Sequence, residues 1–420
     1  MTTTVRPAEA PPVLVAHERL LDALTGLFTR RGLPAARART AAEALCHGEL
    51  SGFASHGLFN LARLYLPLLE SGRCDPHAEP ATVTDLGACA VVDHRRALGL
   101  WAAAESMDDA VARARKYGIG LVAVRGGTHF GCAGFHAARA AAAGMVGLVA
   151  SNCGGQRLVP PPGGALPLLG TNPLAVAAPA LPGHPFVLDM STTAVPTGRL
   201  RLAARRGEPV PPGWLEDEHG APVTDPGAYD RGEARLRWLG GDPETGAYKG
   251  FGLALAVEVL AAGLSGSATG PAPQVPTDDE DTRGTDDGIG FLLLAVDPGR
   301  LRPGDGFAEA MRELFSAVNA GPPAPGTDEE VRYPGWREAE QALHRRSEGV
   351  PLPAWLHAEL TGLGLFGTGH SLPGHPLPGH SAPSHSAPGE EAPGALPQEA
   401  PRPRDAERRQ RDEHAGGERP

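Results

Sequence analysis

Lysine is almost missing from this 420-residue chain: Lys116 and Lys249 are its only lysines, and arginine carries nearly all of the positive charge. With 38 basic against 49 acidic residues the formal net charge is −11, so no basic stripe exists to hold nucleic acid or an anionic membrane, and both are excluded as main partners. Cysteine is scarce. Cys46, Cys74, Cys89, Cys132 and Cys153 are odd in number and without CxxC spacing, which argues against a disulfide framework or a zinc site and for a reducing compartment. No apolar run approaches the roughly eighteen residues of a membrane-spanning helix. The N-terminal stretch also lacks the basic and long apolar regions of a secretion signal. A cytoplasmic protein without metal is therefore expected. Aromatics make up only 5% of the chain, yet 41% hydrophobic residues suffice for a core.

Residues 120 to 192 hold most of the legible chemistry. Leu121–Val124 is a short run of β-formers ending in Gly126-Gly127, which predicts a buried strand feeding a glycine turn, with His129 at its mouth. An Ala-rich helix from about Gly134 to Ala143, stopped by Gly144, and a strand over Val146–Ala150 complete a β-turn-α-β unit. Such a unit sets backbone N–H groups beside the turn residue, a place for an anion or a dinucleotide. By itself, a histidine after a glycine pair is more often a hydrogen-bonded turn residue than a catalyst.

The spacing predicts helices over 13–30 and 34–51, then Ser55-His56-Gly57 at a break, then a helix over Leu58–Leu69. His56 stands beside a helix N-terminus, where it is either a capping histidine or an active group with lowered basicity. Ala81–Val83, Cys89–Asp93 and Phe186–Met190 read as strands, Leu100–Tyr117 as a helix, and 199–246 as a long Gly- and Pro-rich loop. Lys249 opens an apolar helix over Phe251–Leu264; a lysine retained where arginine is the rule points to a task for a compact ammonium, such as holding an anion. Phe291–Val296 is a strand, 306–320 a helix, and 327–364 returns as helices. The acidic stretch 277–287 reads as a solvated loop. GLGLFG at 362–367 satisfies GxGxxG but lacks the strand before and the helix after that give the pattern meaning.

THFGCAG, PPGG, LLGTNPLAVAAP, VLDMSTT and AYKGFGLALAVEVL follow one another in that order, with SHG at 55–57 before them and YPG at 333–335 after. In wording and order, residues 15 to 364 resemble the malate/L-lactate dehydrogenase family, whose nicotinamide site is not a Rossmann fold. The resemblance implies an α/β fold: a non-Rossmann mixed-sheet NAD(P)-binding domain flanked by a helical domain built from N- and C-terminal segments. The corresponding boundaries are 13–75 and 306–365 for the helical segments, 76–305 for the cofactor domain, and 366–420 for a disordered Pro/Gly/His tail. It further implies NAD or NADP as cofactor, a small carboxylic acid as substrate, and a homodimer with sites near the interface. The expected reaction is hydride transfer at the carbon alpha to a carboxylate, on a 2-oxo or 2-hydroxy acid or a cyclic imino acid.

The family's roles carry over onto His129 and His56 as acid/base candidates, on Ser55, Asn60, Arg63 and Thr171 for the substrate, and on Phe130, Gly131, Asn152, Asn172, Asp189, Met190, Ser191 and Lys249 for the cofactor. Two positions depart. Asn60 stands where the family commonly has the arginine that grips the substrate carboxylate, and Arg63 lies one helical turn further on. Gly288 stands where the family often has asparagine. These departures keep a second reading open, a non-catalytic homologue that binds a dinucleotide or metabolite as a regulatory subunit. A third, a hydrolase using His56 and Asp189 with Ser55 or Cys153, lacks any GxSxG elbow.

Overall fold

The first apolar run does not go straight into a helix. In the computed structural model, which describes residues 10–271 and 287–366, Val13–Val15 (β1) is extended and pairs antiparallel with a strand near the other end of the described chain. Two prolines before it and its β-branched residues favour that conformation over the predicted helix. Helices α1 (His17–Arg30) and α2 (Ala35–Leu50) follow, and Leu20, Leu24 and Phe28 of α1 are fully buried beside Ala38, Ala41, Ala42 and Leu45 of α2. After a short turn at Ala54–His56 the predicted helix starts as a π turn, Leu61–Tyr65, before α3 (Leu66–Glu70). Pro67 has no N–H to offer the carbonyl four residues back, so the regular ladder is interrupted at this point.

The sheet is built from β2 (Ala81–Asp85), β3 (Cys89–Asp93), β4 (Ile119–Gly127), β5 (Val146–Ser151), β6 (Leu174–Leu181), β7 (His184–Met190) and β11 (Ile289–Val296), in the order β2-β3-β4-β11-β5-β6-β7. Only β3 and β4 pair in parallel; the other neighbours are antiparallel, so the sheet is mixed. The β-turn-α-β unit is thus wider than its sequence suggests, because β11 returns from far along the chain and inserts between β4 and β5. Helix α4 (Gly99–Tyr117) and α5 (Ala133–Ala142) share a core with the sheet through Met107, Val122, Val124, Ala137 and Phe291. A Cβ on Gly120 would sit 1.9 Å from the Ala110 carbonyl oxygen, and this close approach of α4 to β4 needs glycine.

Residues 199–246, expected as a loop, carry a small structured unit. Helix α6 (Thr197–Arg206), three short strands, β8 (Leu215–Glu216), β9 (Pro222–Val223) and β10 (Arg235–Leu236), and α7 (Gly227–Asp230) surround Leu200, Val210, Leu215, Leu236 and Trp238. Its apolar residues come at irregular intervals, so no period betrays them. Helix α8 (Ala247–Val257) continues as a π turn, Glu258–Gly263, whose Ala261 packs on Ala150 and Leu292 of the sheet. Helices α9 (Pro298–Leu301), α10 (Gly306–Asn319) and α11 (Trp336–Glu348) lead to β12 (Val350–Leu352), the partner of β1, and to α12 (Ala354–Gly362). Leu352, Leu356 and Leu360 complete the core of α1 and α2. Of the acidic stretch only Asp287 falls within the described residues, and the tail from 367 onward lies outside them. Among the described residues no helix is long and apolar enough to cross a membrane.

Candidate active site

The end of α2 touches the Ser55-His56-Gly57 turn backbone to backbone: a Cβ on Gly48 would lie 2.7 Å from Gly57 Cα, and one on Gly57 2.5 Å from Glu49 Oε1. Glu49, at 3% exposure, accepts the Leu58 N–H at 2.9 Å, and burial pushes its carboxyl up to about 7. Arg345 of α11 donates to the Glu49 carbonyl, tying the same corner to the C-terminal helices. On the turn, Ser55 Oγ is 3.0 Å from His56 Nδ1, and the buried Asn60 donates to the Ser55 carbonyl at 2.9 Å. Arg63 in turn donates to Asn60 Oδ1 at 2.7 Å. Asn60 therefore acts as a bracket between the histidine turn and Arg63.

The loop after β4 brings the second histidine opposite the first. The rings of His56 and His129 stack with centroids 6.1 Å apart and planes 17° from parallel. His129 Nδ1 lies 2.8 Å from the hydroxyl of Tyr65, which closes the π turn, and receives the Gly131 N–H at 3.3 Å. Behind the loop the fully buried His136 donates from Nε2 to the Phe130 carbonyl at 2.9 Å. Desolvation, with the Arg63 charge adding to it, lowers His56 to about 4; desolvation, then His56 and Arg63, lower His129 to about 3. Both rings are neutral near pH 7. Asp189, at the end of β7, accepts the Gly134 N–H of α5 at 2.7 Å, and burial raises its carboxyl to about 6. This is an N-terminal cap for α5 supplied from another strand.

These groups line one cleft of about 1160 Å³ that runs from the two histidines to Val210, Pro211 and Trp214, with Arg199 and Arg206 on its walls. Of the residues singled out in the sequence, His56, His129, Ser55, Asn60, Arg63, Thr171, Phe130, Gly131, Asn152, Asp189, Met190 and Ser191 line it. Asn172 and Lys249 do not. Asn172 is fully buried at φ +34°, and its amide donates to Glu258 at 2.9 Å and to the Ala254 carbonyl at 3.1 Å. Asn152 is similarly committed, donating to Glu258 at 3.1 Å and accepting the Gly290 N–H at 2.9 Å. The side-chain N–H groups of Asn172, expected at the cofactor, are thus engaged by α8 and Glu258, while its buried Oδ1 has no partner among the described residues. Lys249 is exposed at the start of α8, its ammonium 5.8 Å from the Tyr248 ring centroid.

Sequence reasoning missed Tyr65, His136, Glu49 and Glu258. A signal existed for Glu258 alone, a single carboxylate inside the apolar run LALAVEVLAAG.

The chain matches the malate/L-lactate dehydrogenase family over residues 15–361. It is 38% identical over 330 residues to a (2R)-3-sulfolactate dehydrogenase (NADP(+)) of Chromohalobacter salexigens, covering 78% of this chain and 91% of that one. It is 33% identical over 336 residues to a Delta(1)-pyrroline-2-carboxylate reductase of Ancylobacter novellus, with 79% and 92% covered. The crystal structure of malate dehydrogenase from Entamoeba histolytica superposes with a TM-score of 0.78 at 27% identity, over 84% of this chain and 97% of that one. Fold, motif order and these likenesses agree, and the chain belongs to the malate/L-lactate dehydrogenase family of nicotinamide-dependent oxidoreductases.

Proposed function

We propose that the protein moves a hydride to or from the carbon alpha to a carboxylate in a small acid, either a 2-oxo/2-hydroxy acid pair or a cyclic imino acid. The observation that carries this reading is the stacked pair His56 and His129 facing one cleft beside Arg63. Hydride transfer to C=O or C=N requires a proton donor at the heteroatom, and the carboxylate requires a fixed cation. Arg63, positioned by Asn60, is the carboxylate anchor, in the role that the missing arginine at position 60 would have had.

A nicotinamide dinucleotide fits the residues present. The cleft of about 1160 Å³ exceeds the roughly 300–1,000 Å³ of ordinary small-ligand pockets, room for acceptor and cofactor together. Arg199 and Arg206 offer positive charge for its phosphates, and Phe130, Gly131, Asn152, Met190 and Ser191 lie along the wall between. When bound, the cofactor supplies or accepts the hydride; the chain's own residues orient the acceptor and move the proton. A homodimer belongs to the same reading, supported by Tyr248, Leu253, Leu255 and Val259, all exposed on one helical stretch. Sedimentation of the protein and of Val259→Arg tests that part.

Nicotinamide absorbance with NADH and NADPH, against a panel of 2-oxo acids and cyclic ketimine acids, tests the reaction. Arg63→Met is expected to lower kcat/KM for carboxylate acceptors by thirtyfold or more, the equivalent of about 2 kcal/mol or above for a truncated charge pair. Turnover unchanged in that variant would remove Arg63 from the substrate site. Dinucleotide binding without turnover of any acceptor would replace the proposal with the regulatory reading.

A further inference from the structure

Resting on that reading, we propose that a side pocket behind Arg63 extends the acceptor site and takes the far end of an acid longer than the three- and four-carbon ones, with a second, terminal carboxylate held by Arg201. The assignment comes from the two guanidiniums that the main cleft and the side pocket have in common.

A cavity of about 460 Å³ lies between the segment after His56 and helices α6, α7 and α12. Arg63 and Arg201 line both this cavity and the cleft of the two histidines, so the two spaces adjoin at the carboxylate anchor. A short acid is used up at that anchor, with its reacting carbon beside the histidines and no atoms left to enter the side pocket.

Each guanidinium is held on one edge and open on another. Arg201 donates from Nε and Nη2 to Asp230 at 3.1 and 2.9 Å, which leaves Nη1 with one long contact of 3.5 Å to Thr197 Oγ1. Arg63 donates from Nη2 to Asn60, and its Nε and Nη1 have no partner among the described residues. A fixed edge beside a free one pre-organises a guanidinium for a carboxylate. Asp230 orients Arg201 without cancelling it, because half of the Asp230 side chain is exposed and water screens its charge. Desolvation and then the Arg201 charge lower the Arg63 guanidinium, a repulsion that two carboxylates relieve more fully than one.

The rest of the pocket suits a methylene chain. Its apolar wall is the buried Phe59 ring, edge-on to Trp355, with Ala62 and Ala204. The remaining charges, Arg205 and Glu359, lie 3.7 Å apart and compensate each other. Both Asp230 oxygens already accept from Arg201, so what stays open at the throat is N–H donors, which call for oxygen acceptors at the end of the chain. A cyclic imino acid has no such end, and open-chain 2-oxo diacids are the class that fits.

The first test is kcat/KM, read by nicotinamide absorbance, for 2-oxoadipate, 2-oxohexanoate, oxaloacetate and pyruvate. The wild type should favour 2-oxoadipate over 2-oxohexanoate by about tenfold or more, the effect of one charge-assisted contact. Arg201→Met should bring that ratio toward one, and Arg201→Lys, which keeps the charge without the fork, should restore part of it. Ala204→Phe, which sets a ring in the pocket, should lower kcat/KM for 2-oxoadipate far more than for pyruvate. A wild-type ratio near one, or a ratio unaltered by Arg201→Met, removes Arg201 from the site. Oxaloacetate preferred over 2-oxoadipate, or equal losses for the long and short acceptors in Ala204→Phe, overturns the pocket. The second test needs no turnover: calorimetric titration with adipate and hexanoate, where adipate should bind more tightly and Arg201→Met should erase the difference. If no acceptor reacts at all, the reductase reading fails, and this titration decides the pocket by itself; equal binding of the two acids then overturns it.

Discussion

Glu49→Gln isolates a carboxyl whose ionisation opposes folding. Glu49 is 3% exposed, and among the described residues its side-chain partner is the Leu58 N–H at 2.9 Å, a neutral donor that offsets little of the lost hydration. Its carboxyl is raised from 4.5 to about 7, a gap equivalent to about 3 kcal/mol. The sign follows from proton uptake. Because the folded state binds this proton more tightly, the stabilisation is complete below about pH 4.5 and is lost as pH rises through about 7. Glutamine keeps an oxygen for the Leu58 N–H and cannot ionise, so it removes the pH term without removing the hydrogen bond. Urea unfolding of both proteins at pH 5 and pH 8 should therefore show the variant gaining about 2–3 kcal/mol relative to wild type between the two. Identical pH dependence in the two proteins would refute the argument and mean that water or Arg345 satisfies the carboxylate.

The buried braces make comparable demands. Glu258→Leu removes the acceptor of one side-chain N–H each of Asn152 and Asn172, which keep the Ala268 and Ala254 carbonyls, and of the Gly270 N–H, so it should lower stability by several kcal/mol, about 1–3 for each unsatisfied donor, read as a lower urea midpoint; a midpoint unchanged within error would dissolve the network as a stabilising feature. Asp189→Ala removes the cap of α5 and should cost about 1 kcal/mol at low pH, with a smaller deficit above about pH 6, because the raised Asp189 carboxyl loses its own contribution as pH climbs from about 4 to about 6. Thermal melts across that window check the crossover. Gly120→Ala should sharply lower the melting temperature, since the new methyl meets the Ala110 backbone oxygen rather than a movable side chain.

Periodic stretches were readable. The helix over Ala133–Ala142, the strands at Cys89–Asp93 and Ile289–Val296, and the turns carrying His56 and His129 follow from apolar spacing and glycine punctuation, which are local properties of the chain. Segments whose conformation depends on a distant partner were not. Val13–Val15 becomes a strand because Val350–Leu352 is there to pair with it, and residues 199–246 acquire structure because Trp238 and Leu200 find each other across an irregular stretch. The candidate site divides along the same line. Ser55, His56 and Asn60 could be named through the family resemblance, and Arg63 because it lies one helical turn beyond Asn60, whereas Tyr65 enters the site through a π turn beside Pro67, with its hydroxyl 2.8 Å from His129 Nδ1.

Composition, charge and co-linear motifs by themselves determined the family, the α/β class and the residue types available for hydride and proton chemistry. Which of those residues face the cleft was decided only in three dimensions. Asn172 carries the same amide as Asn60, yet one is engaged by a buried carboxylate on the π turn after α8 while the other brackets a histidine turn. The physical reason is that a hydrogen-bonding group is defined by what remains unsatisfied on it, and that depends on distant partners, for Asn172 one 86 residues away, rather than on its neighbours in the chain.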